Sequence, residues 1–593
     1  MLKMEENKMR KTITRGLSLL LAASMVFTLL TACGGKKTGV EGAPKYLHLS
    51  ASSAQTTLNP HMASAGVDNT AIGYITSPLY NFILNPETGK GELLPLMAES
   101  APVDVNGDGT VWDIKVREDA KWHNGDPINA DTFIYSWKMC LDPKILNYKA
   151  SDMANSYVHI VNAEEYYNQA SSGVAVAWED VGIKKIDEQT IEVTLCEEYT
   201  QNEVMRHFAM SSAFPVYEPL YEAGLNADRT ETSYGTELAQ VESCGQFYLA
   251  SWVKGSELQY DKNEDWPYAD LTKVDGIVTR VVKDNNTRIQ MFEAGELDSV
   301  GLGADGVEQY AEDPRFRKSS SSYIDHIDIN YDNTKNPILA NINFRKAIFY
   351  SIDRQTIADL TSNLPANFLV PYTGVSYADG TAFRDLPFTN EYLGENYDYD
   401  PDLAVEYFNK ALEEEGVSSV ELTMIYANDK SSVKVMCEFL QEQWAKIFGA
   451  DRFKLNLSGM PNQQAMDTKK SVKTNPDAYE LAASRWSLGA GKYNPIRFME
   501  PYTSTYARRN GNYRCAEADA AYKLAKTAEV RKDEVRLAEV TAEMEKALLD
   551  SVTVVPVFQE TDFSLTGDRL ILPVEKEDPS IGWGLKYADI ELN

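Results

Sequence analysis

Histidine and cysteine are scarce in this sequence, with six of each among 593 residues. The histidines (His48, His61, His123, His159, His207 and His326) show neither H-x-H nor H-E-x-x-H spacing, and no two cysteines form C-x-x-C, so no zinc site or other metal is indicated. G-x-S-x-G, G-x-x-x-x-G-K-[ST] and a dinucleotide fingerprint are also missing. Nothing in the spacing therefore calls for a catalytic residue or a cofactor. A Ser/His/Asp triad is spatial rather than sequential, so a hydrolase survives as a minor alternative. Positive charge is short as well: 57 Lys and Arg face 88 Asp and Glu, a net charge of -31. That balance argues against nucleic acid and against an anionic lipid surface as partners. The longest acidic run is only Glu413-Glu414-Glu415, so the acidity reads as spread solubility charge. No internal repeat is visible.

Long apolar runs are limited to one, Gly16 to Leu30. At roughly 15 residues it is short for a membrane span and reads as the core of a signal peptide. Lys3, Lys8, Arg10, Lys11 and Arg15 precede it, and Leu30-Thr31-Ala32-Cys33-Gly34-Gly35 follows. The order resembles a bacterial lipobox, which implies lipid on Cys33 and cleavage before it; an ordinary secretory peptide with an incidental cysteine is the alternative. Removal of residues 1–32 takes away five basic and two acidic side chains, moving the charge from -31 to -34. Residues 33–45 lack apolar periodicity and read as a tether. Cys140, Cys196, Cys244, Cys437 and Cys515 are left, an odd number, so at least one is free or paired between molecules; one disulfide and buried thiols are both open.

What is present is a regular mixture of strand-like and helix-like segments. Asn106-Gly107-Asp108-Gly109 makes a turn, followed by alternation of Trp112, Ile114 and Val116 against Val111, Asp113, Lys115 and Arg117. Asp104 to Gly109 is similar to half a calcium loop, but position twelve is Lys115, so a plain hairpin turn is the better reading. Asn129 caps a helix carrying Phe133, Ile134, Trp137 and Leu141. Ile183 to Leu195 reads as a hairpin and Ile277 to Val282 as a strand. Thr287 to Ala294 reads as a short helix. Asn343 is expected to cap a helix with Phe344, Ala347, Ile348 and Ile352 on one face. Pro401 to Glu415 is helical up to Gly416, Val420 to Tyr426 is a strand, and Ser431 to Phe448 is a helix up to Gly449. Lys523 to Leu549 reads as one long helix with Val535, Ala538, Ala542 and Leu549 inward, and Val552 to Phe558 as a closing strand.

The motifs, taken in order, resemble those of the extracellular peptide-binding proteins of ABC importers (solute-binding protein family 5). Pro95, Leu96, Ala98, Glu99, Ser100, Arg117, Trp122, Gly125, Pro127, Ala130, Phe133 and Trp137 fall on that family's long mixed motif; the departures are Met97 inserted, Asn124 for Asp, and Asp131 one place early. Leu58-Asn59-Pro60-His61 looks like its early "L-D/N-P-H". Cys244-Gly245-Gln246-Phe247-Tyr248-Leu249 and Phe292-Glu293-Ala294-Gly295-Glu296-Leu297-Asp298 match later motifs, as do Phe344-Arg345-Lys346-Ala347-Ile348 with Ile352-Asp353-Arg354 and Val554-Val555-Pro556-Val557.

The resemblance implies an α/β, periplasmic-binding-protein-like fold, two lobes around a cleft with an additional inserted domain (type II, cluster C). It divides the chain into a discontinuous first lobe (46–80, 212–320 and 552–593), an additional domain (81–211) and a second lobe (321–551). It implies a monomeric lipoprotein on the outer face of the cell membrane. That protein captures oligopeptides or a related small ligand and passes them to an ABC permease and its ATPase; a receptor for a peptide signal is the nearest alternative. Ligand contacts are expected from the small-residue stretch Ser53, Ala54, Gln55 and Thr56, whose backbone is accessible. They are expected too from Arg485, Trp486, Ser487, Lys492, Tyr493 and Asn494, on the family's "G-W-x-x-D-Y-x-D-P". Trp486, Tyr493 and Pro495 fit that motif, Asn494 replaces an Asp, and two residues are added. The acidic residue that pairs with a peptide ammonium is gone, and Lys492 stands there. Lys492 either faces the cleft, repelling an ammonium and favouring N-blocked or acidic ligands, or points to solvent. The 33 Tyr and 9 Trp are compatible with a ring-lined cleft and equally with ordinary core scatter.

Overall fold

The computed structural model describes residues 44–591 except 394–396, 488–493 and 507–512. Residues 45–590 form one compact unit; of the terminal segments that make up the other, only Pro44 and Glu591 are described. Cys33, Lys492 and Tyr493 lie outside the described residues.

Three sheets organise the unit. The first has the strand order Tyr46–Ala51, Gly276–Val281, Glu257–Lys262, Phe247–Val253. Its first pair is parallel and the rest antiparallel. Leu47, Ile277, Tyr260 and Phe247 point into a core shared with Ala71, Ile72 and Ile75 of helix Gly66–Ile75.

The second sheet is an antiparallel set of short strands, Val103–Asp104, Val111–Lys115, Thr190–Thr194 and Ile183–Lys185. The Asp104 carboxylate accepts from the amides of Gly107 (2.9 Å) and Gly109 (2.7 Å), closing the turn with no metal geometry. Gly109 has φ +75°, and a Cβ there would meet the Tyr199 carbonyl at 2.7 Å, so only glycine fits. Trp112, Ile114 and Val116 are buried, as the alternation predicts, against Phe133 and Trp137 of helix Ala130–Cys140. Asn129 caps that helix in a reciprocal box with Thr132.

The third sheet is the largest, in the order Ser299–Gly301, Val555–Thr566, Phe316–Ile329, Leu481–Trp486, Val420–Ala427, Phe453–Met460. Val420–Ala427 and Phe453–Met460 are parallel, joined by helix Ser431–Phe448, which ends at Gly449 (φ +90°). Trp444, Phe408, Phe344 and Phe453 fill the core beneath. Truncating Trp444 to alanine there should cost about 3–5 kcal/mol.

Two strands of this sheet are long and run out of one core into another. Ile324, Ile327 and Ile329 of the first long strand, with Val555, Val557 and Phe558 of the second, belong to the large core. Their far ends reach a separate cluster, where Leu565 packs with Phe292, Leu297 and Val300, and Phe316 leans on it. The register between them breaks from Ser320 to Ile324 and again from Asp325 to His326. Such breaks bend and twist a strand pair locally.

Several expectations shift. Asn341, not Asn343, caps helix Ile342–Tyr350, because its side chain reaches the amides of Asn343 and Phe344. The single helix expected over 523–549 is three: Ala516–Ala525, Ala528–Arg531 and Glu534–Asp550. Asp533 caps the last by accepting from Val535 and Arg536. Val535 is thereby placed in the first turn, half exposed, whereas Ala538, Ala542 and Leu549 are buried. The strand expected over 552–558 begins at Val555 and continues to Thr566, and its first half lies in the large core rather than with the first sheet. Cys140, Cys196, Cys244, Cys437 and Cys515 are all free thiols, and only Cys196 is exposed. Among the described residues no helix is long and apolar enough to cross a membrane.

Candidate functional site

The large sheet ends, on the side of strand Leu481–Trp486, in a cavity of about 480 Å³. Arg485, Trp486 and Ser487 line it together with Tyr323, Asp325 and Lys430, and with Tyr148 from the second-sheet region. Alternation along Leu481–Trp486 turns Arg485 outward while Ser484 is buried. The Arg485 guanidinium lies 4.6 Å from the Tyr323 ring centre and donates to Glu560 at 3.2 Å. Trp486 is half-buried, and its indole N–H has no partner among the described residues. A ring with an unused donor is suited to a ligand that brings both an apolar group and a carbonyl.

Under this cavity lies a small void of about 30 Å³ sharing Lys469, Ser484, Arg485 and Trp486. Asp328 accepts there from Tyr513 (2.7 Å) and Ser484 (2.5 Å), and His326 Nε2 is 3.3 Å away. Burial alone would raise the Asp328 carboxyl; His326, Lys469 and Ser484 outweigh it and hold it below the usual carboxylate range. Burial lowers the Lys469 ammonium, with Asp328 opposing. Ser484, His326 and Asp328 are thus neighbours but not a triad. The Ser484 hydroxyl gives its proton to the carboxylate and accepts from Lys469 at 2.7 Å, while His326 Nδ1 faces the Ile324 carbonyl at 3.2 Å. Among the described residues no base is aimed at Ser484, so this serine is not activated as a nucleophile.

Two further cavities, of about 400 and 310 Å³, share Arg497, Glu500, Tyr522 and Lys526 and face Asn155 of the second-sheet region. Asn494 lines the smaller of them, and its buried side-chain oxygen has no partner among the described residues. Arg485, Trp486 and Ser487 therefore come together in one cavity and Asn494 sits in another. Ser53, Ala54, Gln55 and Thr56 line neither. They form the loop after the first strand, where Asp68 holds Thr56 through its amide (2.8 Å) and hydroxyl (2.7 Å). Gln55 Oε1 is buried there without a partner among the described residues.

Sequence reasoning missed Tyr323, Asp325, Lys430 and Glu560. A signal existed in Tyr323-Ile324-Asp325-His326-Ile327-Asp328-Ile329, where charges interrupt a strand otherwise built for burial. Among the described residues no group of histidine, cysteine or carboxylate side chains is arranged to hold a metal.

The chain is α/β, with cavities beside its largest sheet. Residues 92–510 match the bacterial extracellular solute-binding proteins, family 5 Middle, and the chain belongs to that family. It is 26% identical over 569 residues to the oligopeptide-binding protein OppA of Bacillus subtilis, covering 92% of this chain and 94% of that one. Its fold is similar to the substrate-binding domain of an oligopeptide ABC transporter from Bacillus anthracis (22% identity, 93% and 99% of the two chains, TM-score 0.66). It is similar also to Listeria monocytogenes OppA bound to peptide (24% identity, 93% and 99%, TM-score 0.64). The fold is α/β and periplasmic-binding-protein-like. The family comprises extracellular solute-binding proteins rather than enzymes, so the hydrolase alternative falls away.

Proposed function

We propose that this chain is the ligand-capturing lipoprotein of an ABC importer, taking oligopeptides or a closely related ligand and handing them to a membrane permease and its ATPase. The observation that carries the reading is the cavity at Arg485, Trp486 and Tyr323, within a chain similar to OppA over nearly its whole length. Half-buried rings, an unused indole donor and a flanking guanidinium suit an extended peptide backbone with varied side chains.

The two lobes meet along the long strands, with the second sheet as the inserted domain. Each long strand serves two cores, and the proposed lobe boundary is placed along them. The register breaks near Ser320 and Asp325 are the hinge at which the cleft closes. Cys33 carries the lipid anchor, and the protein works as a monomer.

Mass spectrometry of small molecules released on denaturing the purified protein tests the reading. Peptides, free or N-blocked, are expected. Reproducible recovery of a non-peptide ligand would sink the peptide assignment while leaving the binding role.

A further inference from the structure

A charge cluster sits on the cleft wall where the two long strands lie side by side. Asp325, on the first, is 1% exposed. It faces Arg485 on one neighbouring strand and Phe558 on the other. Its carboxyl is within hydrogen-bonding reach of that of Glu560, two residues beyond Phe558, and the strand register breaks on either side of Asp325. Lys430 Nζ and Arg485 Nη1 both converge on Glu560 Oε1. Among the described residues Asp325 Oδ2 has no hydrogen-bond donor. Two carboxylates in contact can form a hydrogen bond only when one of them keeps its proton, because an ionised carboxylate only accepts. Both cations address Glu560, so Glu560 is the ionised partner.

We propose that Asp325 and Glu560 hold one proton between them, carried on Asp325, and that this positioning pair fixes Lys430 and Arg485 on the cleft wall. Its meaning for ligand capture rests on the function proposed above; the protonation itself does not.

Burial, and then the charge of Glu560, push the Asp325 carboxyl well above the usual range. Burial also works against ionised Glu560, but Lys430 and Arg485 hold it below its ordinary value. The other groups around the pair are consistent with this division. Asp562, next outward on the same strand, is raised by burial and by Glu560. Cys437, from helix Ser431–Phe448, has its thiol pushed up by burial, with Glu438 and Asp325 adding. The Tyr323 ring lies under both cations, and Asp429 lines the same cavity.

With the proton in place, Asp325, Glu560, Lys430 and Arg485 leave the wall with one net positive charge; without it they leave none. A ligand's anionic group would therefore meet a weaker wall at alkaline pH. Folding is linked to the same proton. An unfolded Asp loses its proton near pH 4, whereas the folded one keeps it to higher pH. Between those points the native chain holds one more proton than the unfolded chain, so its folding constant falls tenfold per pH unit on this account.

Urea unfolding of the whole mature chain from pH 5 to 8, wild type against Asp325→Asn, tests the proposal. The ratio of the two folding constants is expected to fall about tenfold per pH unit in the window below the Asp325 titration. A ratio independent of pH overturns it. If Asp325→Asn does not fold, carboxyl NMR of an Asp562→Asn protein labelled in aspartate replaces it. One aspartate carboxyl that keeps its proton well above the pH at which ordinary aspartates ionise is expected, and none would overturn the proposal. Neither arm needs a ligand, so failure here leaves the binding assignment standing.

Discussion

Arg531 Nε lies 3.3 Å from Glu203 Oε1, an ion pair without hydrogen-bond alignment that ties the carboxy-terminal helices of the large core to the second-sheet region. The guanidinium also donates to the Glu198 carbonyl, stands 3.6 Å from Glu197 and lies 4.5 Å over the Tyr199 ring. Its side chain is 9% exposed and that of Glu203 13%. Burial raises the Glu203 carboxyl, opposed by the Thr200 amide and by Arg531.

Removing one member of so buried a pair strands the other. Arg531→Ala is expected to cost about 3–5 kcal/mol in urea unfolding. Arg531→Lys should recover only part, since an ammonium cannot both stack on Tyr199 and reach three acceptors. A loss below about 1 kcal/mol would mean the pair behaves like a solvated surface contact.

Acid should destabilise the fold before most carboxylates titrate. His61 and His207 are fully buried, and burial lowers both to about 4. Each donates its Nε2–H to a backbone carbonyl 3.0 Å away, Phe214 for His61 and Met153 for His207. Both are neutral in the native chain, while the unfolded chain protonates them near pH 6.5. Their contribution is therefore complete above pH 6.5 and is lost as pH falls toward 4, at about 1.4 kcal/mol per pH unit for each histidine. In His207→Gln the slope between pH 6.5 and 5 should shrink by one proton. An unchanged slope would show that His207 is not held neutral.

Membrane retention should depend on Cys33. Cys33→Ala is expected to shift the protein from the membrane fraction to the medium. Retention of the variant in the membrane fraction would point to a different anchor.

At the cleft, Trp486→Ala should weaken ligand binding by about 1–3 kcal/mol, the worth of a buried ring contact with its polar handle. Lys492→Asp should raise affinity for a free-amine peptide and lower it for the N-acetylated form, by about 1–3 kcal/mol if the charge faces the ligand. Calorimetry with both versions of one peptide reads the difference. Equal affinities before and after the change would place Lys492 toward solvent.

Local features of the sequence were enough for local structure. The alternation of Trp112, Ile114 and Val116, the cap at Asn129 and the stops at Gly416 and Gly449 all appear where the chain's own spacing puts them. These depend on neighbours within a turn or a strand pair, and a propensity is a statement about such neighbours. The family motifs, long and ordered, likewise needed only the sequence. The segment 523–549 failed because its helical periodicity outlasts the breaks: Ala525 and Asp550 end helices separated by a short piece that docks Arg531 against Glu203.

What only the tertiary structure decided is which charges meet. Asp325, Lys430, Arg485 and Glu560 come from four separate segments, and nothing in any one of them distinguishes a paired carboxylate from a solvated one. The same holds for Ser53 to Thr56 and Trp486, both plausible ligand contacts by type but lining different parts of the chain's surface. Secondary structure is written in short-range periodicity, so the sequence alone determined the elements and the family. Burial, charge neutralisation and cavity shape arise where distant strands are packed together, so the cleft and its shared proton belong to the packing.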